Sequence, residues 1–134
     1  MRGREVAMTA TGSGVRTRVD LLDGGRAVLL CIGGEVDQAA VERLDWAFSE
    51  GVEAAVRAGA PLLVTDLGEV TYFASVGMTA LLHAHERAGR CGVGLVVAAP
   101  ATHLVTGLLV MVGLDTVIHL VDSVDAALSP GVGG

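Results

Sequence analysis

Ser75 is the side chain in this sequence best placed to do chemistry, because it stands where a helix-patterned stretch begins, in Ala74-Ser75-Val76-Gly77-Met78. A serine at a helix start has two compatible readings. It is an ordinary N-cap, its oxygen accepting a backbone N–H. It is equally a hydroxyl on which a phosphate would be tolerated, since the helix N-terminus offers N–H groups and a partial positive charge. Nucleophilic catalysis would require a base and an orienting acid as well, and no histidine-plus-acid set accompanies Ser75 in the sequence.

The other reactive residue types are scattered. His83 and His85 are two apart on a predicted helix and point to different faces, and His103 and His119 have no acidic or cysteine neighbours, so convergent metal ligands are not indicated. Glu35 and Asp37 lie close together, but no histidine or nucleophile is near them; solvent and helix-cap roles fit them. Cys31 and Cys91 are far apart, without ligand spacing, and read as ordinary buried thiols. Gly92 and Gly94 flank Val93 without the spacing of a phosphate cradle. Arg87 and Arg90, with Glu86 just ahead of them, read as a solvated helix end.

Composition narrows the classes. The 134 residues are 51% hydrophobic and only 3% aromatic, with a formal net charge of −6. Small aliphatic side chains suit a sheet covered by helices. The acidic balance argues against nucleic-acid binding, which needs clustered Lys and Arg. Met1–Gly14 has no apolar signal region and no apolar run is long enough to span a bilayer, so no membrane role and a cytoplasmic location are expected. No cofactor is indicated.

The elements that must position Ser75 follow from periodicity. Arg16–Leu22 alternates as a half-exposed strand, Asp23-Gly24-Gly25 is a hairpin signal, and Ala27–Ile32 returns as a buried strand. Asp37 is the predicted cap of a helix whose Val41, Leu44, Phe48, Val52 and Val56 form one face, with Trp46 turned away as rim packing or a contact patch, and Gly59-Ala60-Pro61 stops it. Leu62–Leu67 is a strand and Val70–Phe73 continues the sheet edge or leads into a turn. A helix from Ser75 to about Arg87, a strand Val93–Ala98 and a helix Ala101–Val112 follow, the last with Leu104, Leu108, Met111 and Val112 in register. Thr116–Leu120 is the last strand, and Asp122 or Ser123 caps a short helix through Leu128. The expected fold is α/β: a single domain over residues 15–128, its mixed, mostly parallel sheet opened by a β-hairpin and covered by about four helices. Residues 1–14 and 129–134 are expected to be flexible ends.

The stretch Val64-Thr65-Asp66-Leu67-Gly68-Glu69-Val70-Thr71-Tyr72-Phe73-Ala74-Ser75-Val76-Gly77-Met78 resembles the signature of STAS domains. There, a strand ending in Asp-Leu leads through a hydrophobic pair to Asp-Ser-Ser/Thr-Gly-Leu at the next helix. Gly34-Glu35-Val36-Asp37 resembles the family's Gly-Glu-hydrophobic-Asp after the second strand, and the order of elements fits across roughly Arg16–Leu128.

The resemblance implies a bacterial anti-sigma factor antagonist, a transcription regulator rather than an enzyme. In such proteins the first Ser of the motif accepts phosphate from a GHKL-type serine kinase that is itself the anti-sigma factor. The unphosphorylated antagonist captures the kinase and frees the sigma factor, and the phosphorylated form lets go. Ser75 takes the phosphoacceptor position, and Val76 stands at the second hydroxyl position. A serine phosphatase acting on Ser75 is a further implied partner. The implied partner surface comprises Asp37, Ala74, Ser75, Val76, Gly77 and Met78, with Gly77 admitting the partner's backbone and Val76 and Met78 supplying apolar contact. One departure stands out: the family's Asp before the phosphoacceptor is Ala74. That departure supports the alternative of a STAS scaffold or small-ligand sensor not regulated by phosphorylation.

Overall fold

The computed structural model describes the backbone of residues 8–9 and the chain over residues 14–129. Strand β1 (Met8–Thr9) pairs antiparallel with β2 (Val15–Leu22), which pairs antiparallel with β3 (Ala27–Val36). In β2, Val15 and Thr17 are buried while Arg16 and Arg18 are exposed, as the alternation predicted, but the pattern lapses toward the hairpin, where Leu21, expected on the side of Val15 and Thr17, is exposed. The tight turn Asp23–Gly25 closes the hairpin with φ of 52°, 66° and 91°, values that the two glycines adopt without strain.

From β3 onward the strands run parallel. Helix α1 (Val41–Ala58) leads to β4 (Leu62–Phe73), α2 (Ser75–Arg90) to β5 (Gly94–Ala98), and α3 (Leu104–Met111) to β6 (His119–Val121). The sheet order is β1-β2-β3-β4-β5-β6. Each parallel strand is the neighbour of the one before it, so crossovers of one hand place all three helices on one face. There Leu44, Phe48 and Val52 of α1, Leu81 of α2 and Val105 and Leu109 of α3 join Val28, Leu30, Leu63 and Val97 of the sheet in the main core. The short helix α4 (Val124–Ala127) covers the other face, Ala127 sharing a cluster with Leu29, Val64 and Val96. Of the two cap candidates Ser123 serves, its hydroxyl oxygen accepting from the Ala126 N–H at 3.1 Å.

Several boundaries differ from the sequence reading. β3 does not stop at Ile32 but continues through Gly33-Gly34 to Val36. At Gly34 φ is +93° and a Cβ would collide with the Gly14 carbonyl oxygen, so glycine is what lets the strand continue. β4 is one strand, not two. It carries one extra residue opposite the Cys31-to-Gly33 step and another opposite the Gly34-to-Glu35 step, and the first bulge is held by the Gly68 N–H donating to Asp66 Oδ1 at 2.9 Å. A short 3-10 turn, Gln38–Ala40, separates Asp37 from α1, and Val56 is exposed rather than in the buried stripe. Helix α3 is shorter than Ala101–Val112 and is rotated from the predicted phase, burying Val105 and Leu109 while Leu104, Met111 and Val112 face outward. Strand β6 begins at His119 rather than Thr116.

Of the expected flexible ends, the backbone of Met8–Thr9 pairs with Thr17 and Arg16. The rest of residues 1–13, and residues 130–134, lie outside the described residues.

Candidate functional site at the start of helix α2

Two parallel strands end side by side here. Val36 closes β3 and is paired with Phe73, which closes β4. The next residues, Asp37 and Ala74, therefore leave the sheet at the same edge, the end of a parallel sheet where loops and helix starts gather. The Ala74 N–H donates to the Val36 carbonyl at 2.9 Å and locks the two exits together.

Asp37 caps, as expected, though what it caps is the 3-10 turn: its Oδ1 accepts the Ala39 N–H at 3.1 Å. Glu35 is exposed, and its N–H donates to the Gly14 carbonyl at 3.2 Å.

The cap of α2 is not Ser75. Ala74 holds that place, with extended backbone (φ −81°, ψ 168°) and no side chain able to accept a hydrogen bond. Ser75 is the first helical residue, exposed, and among the described residues its hydroxyl has no hydrogen-bond partner, while its carbonyl accepts from the Thr79 hydroxyl at 3.3 Å. Directly inside it are the first-turn N–H groups, which an α-helix leaves without intrahelical acceptors. The Gly77 N–H turns back to the Ala74 carbonyl at 2.9 Å.

The remaining members of the predicted surface divide between outside and inside. Val76 and Met78 are half-buried, Met78 packing on the main core. Gly77 is buried. A Cβ there would lie 2.7 Å from Val36 Cγ1 and 2.9 Å from Phe73 Cε1. The space its missing side chain leaves is thus taken by the two strand ends, not held open for a partner's backbone, and Gly77 is a packing glycine. Tyr72, which sequence reasoning did not single out, is 54% exposed and pairs in register with Glu35. Its signal was hidden because the second bulge of β4 shifts the alternation just before it.

Elsewhere the reactive side chains stay apart. Among the described residues no group of three or more His, Cys, Asp or Glu could hold a metal ion. His103 caps α3, its Nδ1 accepting the Val105 N–H at 3.0 Å. His83 and His119 are exposed, and the Nδ1 of His85 is buried without a partner among the described residues. Gly92, with φ +77°, follows the end of α2, and Gly94 opens β5. Arg87 is not a free helix-end charge: its Nη1 donates to the Ser49 hydroxyl at 2.6 Å, joining α2 to α1. Arg90 is exposed. The cysteines also depart from the reading of two buried thiols, since Cys91 is exposed and Cys31 half-buried. Burial pushes the Cys31 thiol up, partly offset by the Arg18 guanidinium. Trp46 is exposed on α1, turned away from the buried stripe as the helical period required. No helix among the described residues is long and apolar enough to cross a membrane.

A family described as "Mlab, STAS domain" matches residues 19–122, which run from β2 to the residue after β6 and include the whole Ser75 segment. The chain belongs to the STAS domain family. Among solved structures, this STAS domain is similar to an anti-sigma factor antagonist from Mycobacterium paratuberculosis, at 29% identity, with a TM-score of 0.71 over 90% of this chain and 96% of that one. It shares its fold with the anti-sigma factor antagonist SpoIIAA in its unphosphorylated form, at 14% identity, TM-score 0.63, over 84% of this chain and 92% of that one. The fold is shared too with a Thermotoga maritima protein titled a putative anti-sigma factor antagonist, at 15% identity, TM-score 0.64, over 82% of this chain and 89% of that one. No curated protein matches the chain.

Proposed function

We propose that this STAS domain is an anti-sigma factor antagonist that docks on a GHKL-type anti-sigma serine kinase, releases a sigma factor, and is switched off by phosphorylation at Ser75. The observation that carries this reading is the exposed Ser75 hydroxyl on the first residue of α2, without a hydrogen-bond partner among the described residues. The 29% identical M. paratuberculosis antagonist supports it. The protein acts by docking in the cytoplasm, not by catalysis, and a serine phosphatase resets it.

The switch is electrostatic. A phosphate adds roughly −1.5 to −2 charges, next to first-turn N–H groups that accommodate it, so the fold persists. The docked partner meets the same charge as a burial problem. A penalty near 3 kcal/mol, modest for an unmatched interfacial charge, weakens binding by about a hundredfold. Asp37, beside Ala74 at the paired strand exits, and the half-buried Val76 and Met78 complete the docking surface. Incubation with the cognate kinase and ATP, followed by mass-spectrometric mapping, is expected to find phosphate on Ser75. Ser75→Asp is expected to fold normally and lose kinase binding. Absence of both complex and phosphate with every cognate kinase would overturn the reading.

Ala74 favours a second reading. It stands where the resemblance expects a carboxylate, and a STAS scaffold or small-ligand sensor without phosphorylation would not need one. In that case Ser75→Ala leaves function intact and a ligand raises the melting temperature.

A further inference from the structure

Arg87 is a half-buried cation whose partner is neutral. Its Nη1 donates to the Ser49 hydroxyl at 2.6 Å across the seam between α1 and α2, and among the described residues it enters no ion pair. A guanidinium drawn out of bulk water without a counter-charge opposes folding, and a carboxylate arriving from outside relieves that cost through charge-assisted hydrogen bonds. The Ser49 oxygen, while accepting from Arg87, keeps its own O–H to donate.

Both residues line a groove of about 490 Å³ between the two helices. Ser49, Val52 and Val56 recur at three- and four-residue steps along α1 and make one wall, facing Arg87 and Cys91 on the other. Val56 is 52% exposed here, where the periodicity had placed it in the core. The other two charges of the lining, Glu53 and Arg57, pair with each other at 3.7 Å. One uncompensated cation is left in a trough otherwise walled by valine.

That combination selects the ligand. A single guanidinium fork matches a single carboxylate, which it binds through two parallel N–H···O bonds. A phosphate dianion would find no second free cation, since Arg57 is engaged by Glu53. An acidic peptide would bring further carboxylates against Glu53. The valines suit a short aliphatic chain, and among the described residues no aromatic ring lines the groove to stack on another. The volume is that of a small-molecule site. The net charge of −6 on the whole chain does not decide the matter, because exposed charges beyond about 8–10 Å are largely screened in physiological salt.

We propose that the groove between α1 and α2 binds a small aliphatic monocarboxylate, its head on Arg87 and Ser49 and its chain along Val52 and Val56. The proposal is independent of the Ser75 reading, since Arg87 lies about three turns along α2 from Ser75. One charge-assisted anchor in an open groove makes for weak binding, with a dissociation constant of about 0.1–1 mM.

Two-dimensional NMR of the full chain, titrated with sodium octanoate to about 5 mM, tests this across the expected range. Saturable shifts are expected at the amides of Ser49, Val52, Val56, Arg87 and Cys91. Octanol has the chain without the charge and inorganic phosphate the charge without the chain; each is expected to bind at least about tenfold more weakly. Arg87→Gln is expected to lose about tenfold or more in affinity. Because that change also disturbs the bond to Ser49, Val56→Glu is the second variant. It leaves Arg87 and Ser49 in place, is expected to melt like wild type, and sets a carboxylate in the groove that excludes octanoate. Ser75→Ala is expected to bind octanoate like wild type, so failure of the Ser75 reading leaves this result untouched. No saturable shift at the highest concentration would overturn the proposal. So would binding that both groove variants leave intact, shifts confined to the outward side of α3, or tighter binding of the capped peptide acetyl-Glu-Leu-Glu-amide than of octanoate.

Discussion

The Ala74 amide is bonded to the Val36 carbonyl at 2.9 Å, so the helix that carries Ser75 is hung from the last residue of the neighbouring strand. Ala74 is thereby fixed in the extended backbone of a helix cap while lacking the side chain of one. Ala74→Asp supplies an acceptor for the first-turn N–H groups. It is expected to stabilise the fold by about 1 kcal/mol and raise the melting temperature by about 3–5 °C. Differential scanning calorimetry checks this, and an unchanged or lower melting temperature would show that the side chain cannot reach those groups.

Gly77 sits beneath the same junction. Its Cβ position is 2.7 Å from Val36 and 2.9 Å from Phe73, both buried and neither free to swing away. Gly77→Ala gains helix propensity but forces the strand ends and α2 apart. A net loss of about 1–3 kcal/mol is expected in urea unfolding. Equal stability of Gly77→Ala and wild type would refute the packing role.

Thr65 is fully buried in β4 between Leu30 and Val97 of the flanking strands, and among the described residues its hydroxyl has no hydrogen-bond partner. A desolvated hydroxyl without a partner opposes folding, and valine has the same shape without it. Thr65→Val is expected to be more stable by about 1 kcal/mol, read as a higher urea midpoint with unchanged slope.

The two thiols differ in access and in charge. Cys91 is exposed, while Cys31 is half-buried with its thiol raised by desolvation. Only the thiolate reacts, so a disulfide reagent at pH 8 is expected to label Cys91 first and Cys31 about tenfold or more slowly. The Cys31 rate is expected to keep climbing as pH rises past the ordinary thiol value of 9.0. Cys31→Ser removes the slow phase if the assignment holds; equal rates for both thiols count against it.

Sequence patterning located the hairpin, the parallel strands and the residue at the start of α2, because each was marked by a change of period or by glycine. It failed where such markers misled or were missing. Gly33-Gly34 and Gly68 looked like breaks, yet in β3 and β4 they accommodate the Gly14 carbonyl and a bulge. Around α3 there is no charge from Cys91 to Leu114, so no polar side existed to reveal which aliphatic residues face the sheet. At Ser75 the one-residue difference between cap and first helical position depends on the backbone angles of Ala74, which residue types alone do not specify. The inward turn of Gly77 was equally hidden, since it depends on how Val36 and Phe73 meet across two strands.

The neighbour-by-neighbour sheet order has a practical corollary. β3, β4 and β5 all finish at the edge that bears Ser75, whereas the Asp23–Gly25 hairpin lies at the far end of β3. Ten residues of strand span about 33 Å, so a dye or purification handle grafted into that hairpin would stand well clear of anything gripping the Ser75 edge. The molecule comes with a natural place to be held while its other end is being watched.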